Sequence, residues 1–556
     1  MEISEKSFIK QNAPESTQSS SATPSPSPGN ESPPSLLTLI QQSRKTVAWC
    51  LALTSGILLY GYDLVIVGNV SSMPEFQKQF GHHHTTTNQL IIPSLWLSLW
   101  NISNSLGGIL GALTGGHLQD LTGRRATLLT ASTVSALAVA IAYVADLPAS
   151  ITTRRAVFFT TKFLQGFAVN MVMCTTQTYM SEILPDGLRG PVFSFVPVFT
   201  LLGQLVGGVV VYAQLKEDGA TGYRNCFVSE WAFSVVAFAV AVCMPESPVY
   251  LVRRGEGVKA RGCLRRLLLL GSGEGHEAEV EVERAYERIR VSVEKKNSTN
   301  ANAKTGYLEC FRGTDRRRTT IVLFAGVLPP LFGLTLLAKG SYFMQVVDMS
   351  AHHSLVFLQV GIALGIVANL GSMGTLARFG RVGLTVFGLG GCAFLWMGMG
   401  IAGCFSGGGT VWYTQASILL IVTIAGLSTW PASHAIGAEA SSLHLRAKAQ
   451  GLGWLANCLA NGVMGFVLPY IFNPDEGALG AKTGFVYAGL CIVALVVTVG
   501  IVPEMKDRSA LEIDRMFEEG GEGRRRRRWL KRWNWVRDIA GGGDAEGGTG
   551  RARPNS

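Results

Sequence analysis

The chain has 556 residues, of which 47% are hydrophobic and only 15% are Asp, Glu, Lys or Arg, and its mean hydropathy is +0.27. A soluble globular chain carries about 25% charged residues, so this one falls well short. That excludes a disordered scaffold, a secreted disulfide miniprotein and an ordinary cytosolic enzyme. Ten cysteines are scattered without any CxxC pair, so neither a zinc site nor a disulfide framework is indicated. The net charge of +10 points away from nucleic acid because it is concentrated between and after long apolar runs.

In chain order, residues 1–45 form a polar tail rich in Ser and Pro, which reads as disordered and shows no cleavable signal peptide. Apolar segments follow at about 46–70, then within 85–119, 126–145, 163–181, 190–215 and 231–245. A charged linker, 246–318, is expected to hold short helices. Beyond it come 319–338, 349–377, the long run 382–438, 449–474 and 483–503, and a basic tail, 504–556. One span needs about 20 residues, so 382–438, interrupted by Gly407-Gly408-Gly409, must hold two. The total is twelve helices, because backbone polar groups in lipid must be satisfied within each helix. The fold class is an all-α membrane protein in two six-helix halves, 46–245 and 319–503.

Sixteen of the 48 Lys and Arg residues lie in 246–318 alone, while the loops on the other side hold Lys78, Arg154, Arg155, Lys216, Arg224 and Lys482. The positive-inside rule then places both termini and the linker in the cytoplasm.

Three signatures occur twice. Gly123-Arg124 recurs as Gly380-Arg381, Glu182 and Arg189 as Glu439 and Arg446, and Pro245-Glu246 as Pro503-Glu504, at offsets of 257 or 258 residues. One offset held over so long a stretch makes the chain a parallel repeat. Repeated halves of this kind hold substrate near the bilayer midplane and alternate its access by rocking.

The pieces GYD (61–63), GGHLQDLTGRR (115–125), SEILPDGLRG (181–190), PESP (245–248) and VPEMKDRSALEIDRMFEE (502–519) resemble the sugar porters of the major facilitator superfamily. GNVSSMPEFQKQFG (68–81), ASSLHLRAKAQGLG (440–453) and NPDEGALGAKTGFVYAGL (473–490) look more narrowly like fungal maltose and α-glucoside permeases. The resemblance implies the major facilitator fold, a sugar substrate, protons as the coupling ion, no cofactor, no enzyme activity and a plasma-membrane location. A facilitator and a non-transporting sugar receptor of the same fold stand as alternatives.

Asp63 is a carboxylate deep in an apolar span, which is expensive and by default functional. Lys162 opens the fourth span and is placed to pair with it; proton coupling by this pair and a fixed structural pair are both open. The resemblance implies substrate contacts from Gln204, Tyr342, Trp430, His434, Trp454, Asn457 and Asn461. The family's Gln-rich segment of span seven is replaced by Leu328-Pro329-Pro330-Leu331-Phe332-Gly333. Extra carboxylates of some α-glucoside permeases are replaced by Tyr60 and Gly108.

The charges Asp120, Arg124, Arg125, Glu182, Arg189, Glu246, Arg378, Arg381, Glu439, Arg446 and Glu504 all fall at cytoplasmic span ends. They are expected to act as gate latches that bias a two-state equilibrium. Ala377 stands where the repeat places Asp120, so the second-half latch is expected to be weaker. His82-His83-His84 reads as a loop tip rather than a metal site. Arg524–Arg528, with Trp529, Trp533 and Trp535, fits anionic lipid on the cytoplasmic face better than nucleic acid.

Overall fold

The computed structural model describes residues 38, 40, 41, 43–83, 90–185, 188, 192, 195–217, 219–268, 276–302, 307–405, 407–442, 445–506, 512, 513, 516 and 517. The polar N-terminal tail, the Arg524–Arg528 run, His84 and Arg189 therefore lie outside the described residues, as do the side chains of Ala377 and Arg446.

The first half comprises α1 (Arg44–Val70), α2 (Ser94–Thr122), α3 (Arg124–Tyr143), α4 (Ile151–Ile183), α5 (Val196–Gln214) and α6 (Thr221–Cys243). The second comprises α7 (Gly313–Phe332, continued by Leu334–Leu337 and Gly340–Val346), α8 (Ala351–Arg378) and α9 (Arg381–Ala402). After these come α10 (Gly408–Leu427 with Thr429–Ala440), α11 (Arg446–Phe472) and α12 (Thr483–Ile501). Ten of these are long and apolar enough to cross a bilayer; α2 and the interrupted α7 fall short of that hydropathy. The long run 382–438 does hold two helices, which part just before Gly408.

Small residues set the helix spacing. A Cβ on Gly61 would collide with the Thr200 carbonyl of α5, and one on Gly203 with the Leu58 carbonyl of α1. The two backbones therefore touch, as small-residue interfaces allow in membranes. At the α2–α3 turn Gly123 takes φ 95°, a conformation that favours glycine.

Span seven differs most from the expected 319–338. Its helix starts earlier, at Gly313, and stops at Phe332, where Gly333 turns the chain at φ 108°. Pro329 and Pro330 have no N–H to donate, so the ladder is already weakened there. The orphaned Phe332 carbonyl accepts the Trp396 indole N–H of α9 at 2.9 Å, which makes the break affordable.

The linker forms helices over Pro248–Arg253, Gly257–Leu268 and His276–Asn302. The last two are laced by Arg261–Glu283 at 2.7 Å, and the guanidinium holds the Glu283 carboxyl below its usual range.

Hydrogen bonds between the halves gather at the end away from the termini. Ser98 Oγ donates to the Phe466 carbonyl at 2.6 Å and Asn101 Nδ2 to that of Gly465 at 3.1 Å. Ser341 Oγ bonds Asn69 Oδ1 at 2.8 Å, Gln345 Nε2 the Ser72 carbonyl at 2.8 Å, and Gln359 Nε2 the Gly208 carbonyl at 3.1 Å. The bundle is thus sealed at the end opposite its termini.

Candidate transport site

Asp63 and Lys162 meet in the middle of the first half. Lys162 Nζ lies 3.0 Å from Asp63 Oδ1, with side chains only 2% and 4% exposed. The other oxygen, Oδ2, accepts Asn104 Nδ2 at 3.0 Å. Gly166, one turn along α4 from Lys162, gives Asn104 its room, because a Cβ there would strike the Asn104 side chain. The carboxylate is therefore held by one cation and one amide, with both partners positioned by packing.

A second buried carboxylate stands beside this pair. Glu230, at the start of the main part of α6, is 2% exposed and accepts Gln165 Nε2 at 2.5 Å. Gln165 in turn bonds Ser135, and Ser135 bonds Ser234 at 2.9 Å. Glu230 lies within electrostatic reach of both Asp63 and Lys162. Lys162 and Gln165 are three residues apart on one face of α4, so that face presents a cation to α1 and an amide to α6. Counting charge-free runs missed Glu230 because the run 231–245 begins immediately after it. The usable signal was Gln165, a second polar residue on the face of Lys162.

Lys339 was also missed. It occupies the gap between two pieces of α7 and is half-buried. A Cβ on Gly465 of α11 would stand 3.5 Å from its Nζ and 3.2 Å from Asn101 Cβ of α2. Reading span seven as one helix hid its position at the meeting of the two halves.

The expected substrate residues divide between places. Gln204 of α5 and Trp430 of α10 line one cavity together with Phe332, Leu337 and Gln415. Asn457 Nδ2 donates to the Gly326 carbonyl at 2.8 Å, and Asn461 Oδ1 accepts Thr335 Oγ1 at 2.9 Å, so both amides join α11 to α7. Trp454 packs on Tyr60 of α1 at 6.1 Å between ring centroids. His434 is exposed on the second piece of α10. Tyr342 stands apart from the Gln204 cavity: it is buried at the sealed end, where its hydroxyl donates to Asn473 Oδ1 at 3.2 Å. Gly108 faces Asn170, whose side-chain amide a Cβ at position 108 would strike.

The repeated charges at the terminal end form two matching clasps. Arg124 binds Glu182 through Nη2 at 2.7 Å and Nε at 3.0 Å, and Glu246 accepts the Arg124 backbone N–H at 2.8 Å. Arg381 binds Glu439 through Nη2 at 2.8 Å, and Glu504 accepts the Arg381 N–H at 2.9 Å. Arg125 reaches carbonyls of α6 instead, with Nη2 to Val242 at 2.6 Å. Asp120 is exposed and lies 3.8 Å from Arg124, so its loss in the second half removes little. The Arg378 carbonyl accepts Lys506 Nζ at 2.8 Å. Each of these pairs lies within one half; none of them crosses between halves.

Two six-helix halves in parallel repeat, a sealed end, and buried charges at the centre define the architecture of a membrane carrier. The sequence profile of the family described as "Sugar (and other) transporter" matches residues 47–517, and the chain belongs to that family. It is a multi-pass sugar transporter of the major facilitator superfamily rather than an enzyme. It is 29% identical over 476 residues to MFS transporter fmqE of Aspergillus fumigatus, covering 83% of this chain and 84% of that protein. It is 28% identical over 493 residues to the alpha-glucosides permease MPH3 of Saccharomyces cerevisiae, covering 88% and 80%. Maltose permease MAL61 of the same yeast is 27% identical over 488 residues, covering 87% and 78%. Among solved structures, the Escherichia coli xylose transporter XylE in a partially occluded inward-open conformation superposes with a TM-score of 0.68. That match is at 20% identity and covers 84% of this chain and all of that one.

Proposed function

We propose that the chain imports a neutral sugar, an α-glucoside such as maltose or a hexose, by proton symport across the plasma membrane, with both termini cytoplasmic. The observation that carries this reading is the Asp63–Lys162 pair, buried in a span and adjoined by Glu230. Burial favours the neutral form of a carboxylate, and a neighbouring ammonium favours the charged form. A carboxylate so placed can pass a proton from one side of the membrane to the other as its partners move during the cycle. With the termini in the cytoplasm, the sealed end is the outer one. The relatives named as maltose and alpha-glucoside permeases support the substrate class. A membrane potential of ~150 mV supplies roughly 3.5 kcal/mol per proton, enough for about a 300-fold sugar gradient.

The test is uptake of labelled maltose, other α-glucosides and hexoses into a transporter-null cell at two external pH values. Symport requires accumulation that rises as external pH falls. Uptake that equilibrates without accumulation and ignores pH would identify a facilitator.

A further inference from the structure

Lys339 is a basic group that the carrier itself leaves unanswered. Its stem runs through a slot between two glycines. A Cβ on Gly68 of α1 would stand 3.0 Å from its Cα and 3.2 Å from its Cγ, and one on Gly465 of α11 would stand 3.5 Å from its Nζ. The amine is thereby delivered to the seam between the halves, beside the bond from Asn101 to the Gly465 carbonyl. No hydrogen bond or ion pair involves its Nζ among the described residues. The elements packed around it supply no free acid. The only one in α1 is Asp63, which Lys162 and Asn104 already hold; the only one in α2 is Asp120, at its far end; α11 has none. An ionisable group in a span is expensive, and one without a partner most of all, so it marks a place where charge arrives from outside the protein.

We propose that Lys339 binds a carboxylate carried by the transported sugar, so that the carrier takes sugar acids as well as neutral sugars. The inference rests on the sugar-transport reading and extends its substrate class to aldonic and uronic acids and their glycosides. Position supports it. Asn461, one of the amides expected to meet the sugar, lies one turn before Gly465 on α11, and Thr335, which donates to it at 2.9 Å, is four residues before Lys339 on α7. Neighbours one turn apart on a helix face are about 5–6 Å from each other. A ring seated at Asn461 therefore leaves a substituent within reach of the amine. An ammonium and a carboxylate form a charge-assisted hydrogen bond, stronger than the ammonium makes to a sugar hydroxyl. This pair forms only with substrate aboard, so the substrate is bound by it; Lys162, with Asp63 as a standing partner, offers no such gain.

The experiment measures binding of two matched pairs, maltose with maltobionate and glucose with glucuronate, to the full-length carrier in nanodiscs, in potassium chloride and again in chloride-free buffer. In the wild type at least one acid should bind about tenfold tighter than its neutral partner in both buffers. Lys339→Met and Lys339→Gln should each bring that ratio to one or below. Ratios do not depend on the fraction of a variant that folds, and the wild-type ratio stands without any variant. Equal or weaker wild-type binding of both acids overturns the subsite and leaves sugar transport standing, and so does an acid preference that survives both substitutions. Neutral-sugar binding that needs chloride in the wild type, and loses that need in Lys339→Met, gives the lysine to a free inorganic anion and likewise overturns the proposal. Binding of none of the four ligands overturns the subsite and the α-glucoside or hexose reading together.

Discussion

Asp475, in the loop after α11, caps the first turn of α2 through Ser94. One carboxylate oxygen accepts the Ser94 backbone N–H at 2.8 Å and the other accepts its hydroxyl. The two residues belong to opposite halves. The N-terminus of a helix carries unsatisfied N–H groups and a partial positive charge, both of which a carboxylate answers. The seal between the halves and the cap of α2 are therefore one interaction, and rocking the halves apart at this end uncaps the helix.

Asp475→Ala should accordingly favour the state open at that end. Loss of a cap costs about 1 kcal/mol, a shift of roughly fivefold in population. Gln77 and Gln345 approach across the same seam, Nε2 to Oε1 at 3.3 Å, so cysteines placed there report closure. Crosslinking them with a short bifunctional thiol reagent should slow about fivefold in the Asp475→Ala background. An unchanged rate would show that the cap does not hold the gate. Cys243 and Cys404 are exposed and must be replaced first.

The two terminal-end clasps repeat in sequence but not in burial. Arg124 and Glu182 are 3% and 12% exposed, whereas Arg381 and Glu439 are 19% and 27% exposed. Removing one partner of a buried pair strands the other, at about 3–5 kcal/mol, and exposed pairs cost far less. Arg124→Ala should therefore lower the melting temperature of the purified carrier markedly more than Arg381→Ala. Equal losses would mean that the clasps depend on their backbone contacts through Glu246 and Glu504 rather than on the side-chain pairs.

Much of this architecture was legible in the sequence. Charge-free runs gave twelve spans because lipid leaves the backbone only one arrangement, and the offset of 257 residues gave the two halves because repeated clasps need repeated residues. The Asp63–Lys162 pair followed from the cost of a lone carboxylate in an apolar run. What escaped notice depended on how helices break and which faces meet. Glu230 sits at the edge of its span, where an acid looks like a loop residue. Lys339 is central only because Gly333 turns span seven after the two prolines. Tyr342, placed by family resemblance in the substrate path, is packed at the sealed end because the same break redirects the last piece of α7.

Glu230→Gln tests the second carboxylate. The amide substitute keeps a hydrogen-bonding group for Gln165 but carries no negative charge toward Lys162. Sugar binding should survive, while the pH profile of uptake shifts relative to wild type. A purely structural Glu230 would lower surface abundance without moving that profile.

Asp63→Asn bears on coupling itself. The amide fits the same space and still accepts Asn104 Nδ2, but it cannot bind or release a proton. Accumulation and pH-dependent current should be lost, while sugar binding and counterflow exchange persist, since exchange never returns the carrier empty. The substitution also removes the ion-pair partner of Lys162, and an unpaired buried ammonium costs about 3–5 kcal/mol. Glu230 stands within electrostatic reach of Lys162 and should absorb much of that penalty in the single variant. The double variant Asp63→Asn/Glu230→Gln leaves Lys162 without a nearby anion from either residue, so its surface abundance should fall below that of both singles. Adding Lys162→Met to the double variant should restore abundance without restoring accumulation. If Asp63→Asn reaches the surface normally and still accumulates sugar in a pH-dependent way, Asp63 is not the coupling group and the proton must be carried elsewhere, with Glu230 the first place to look.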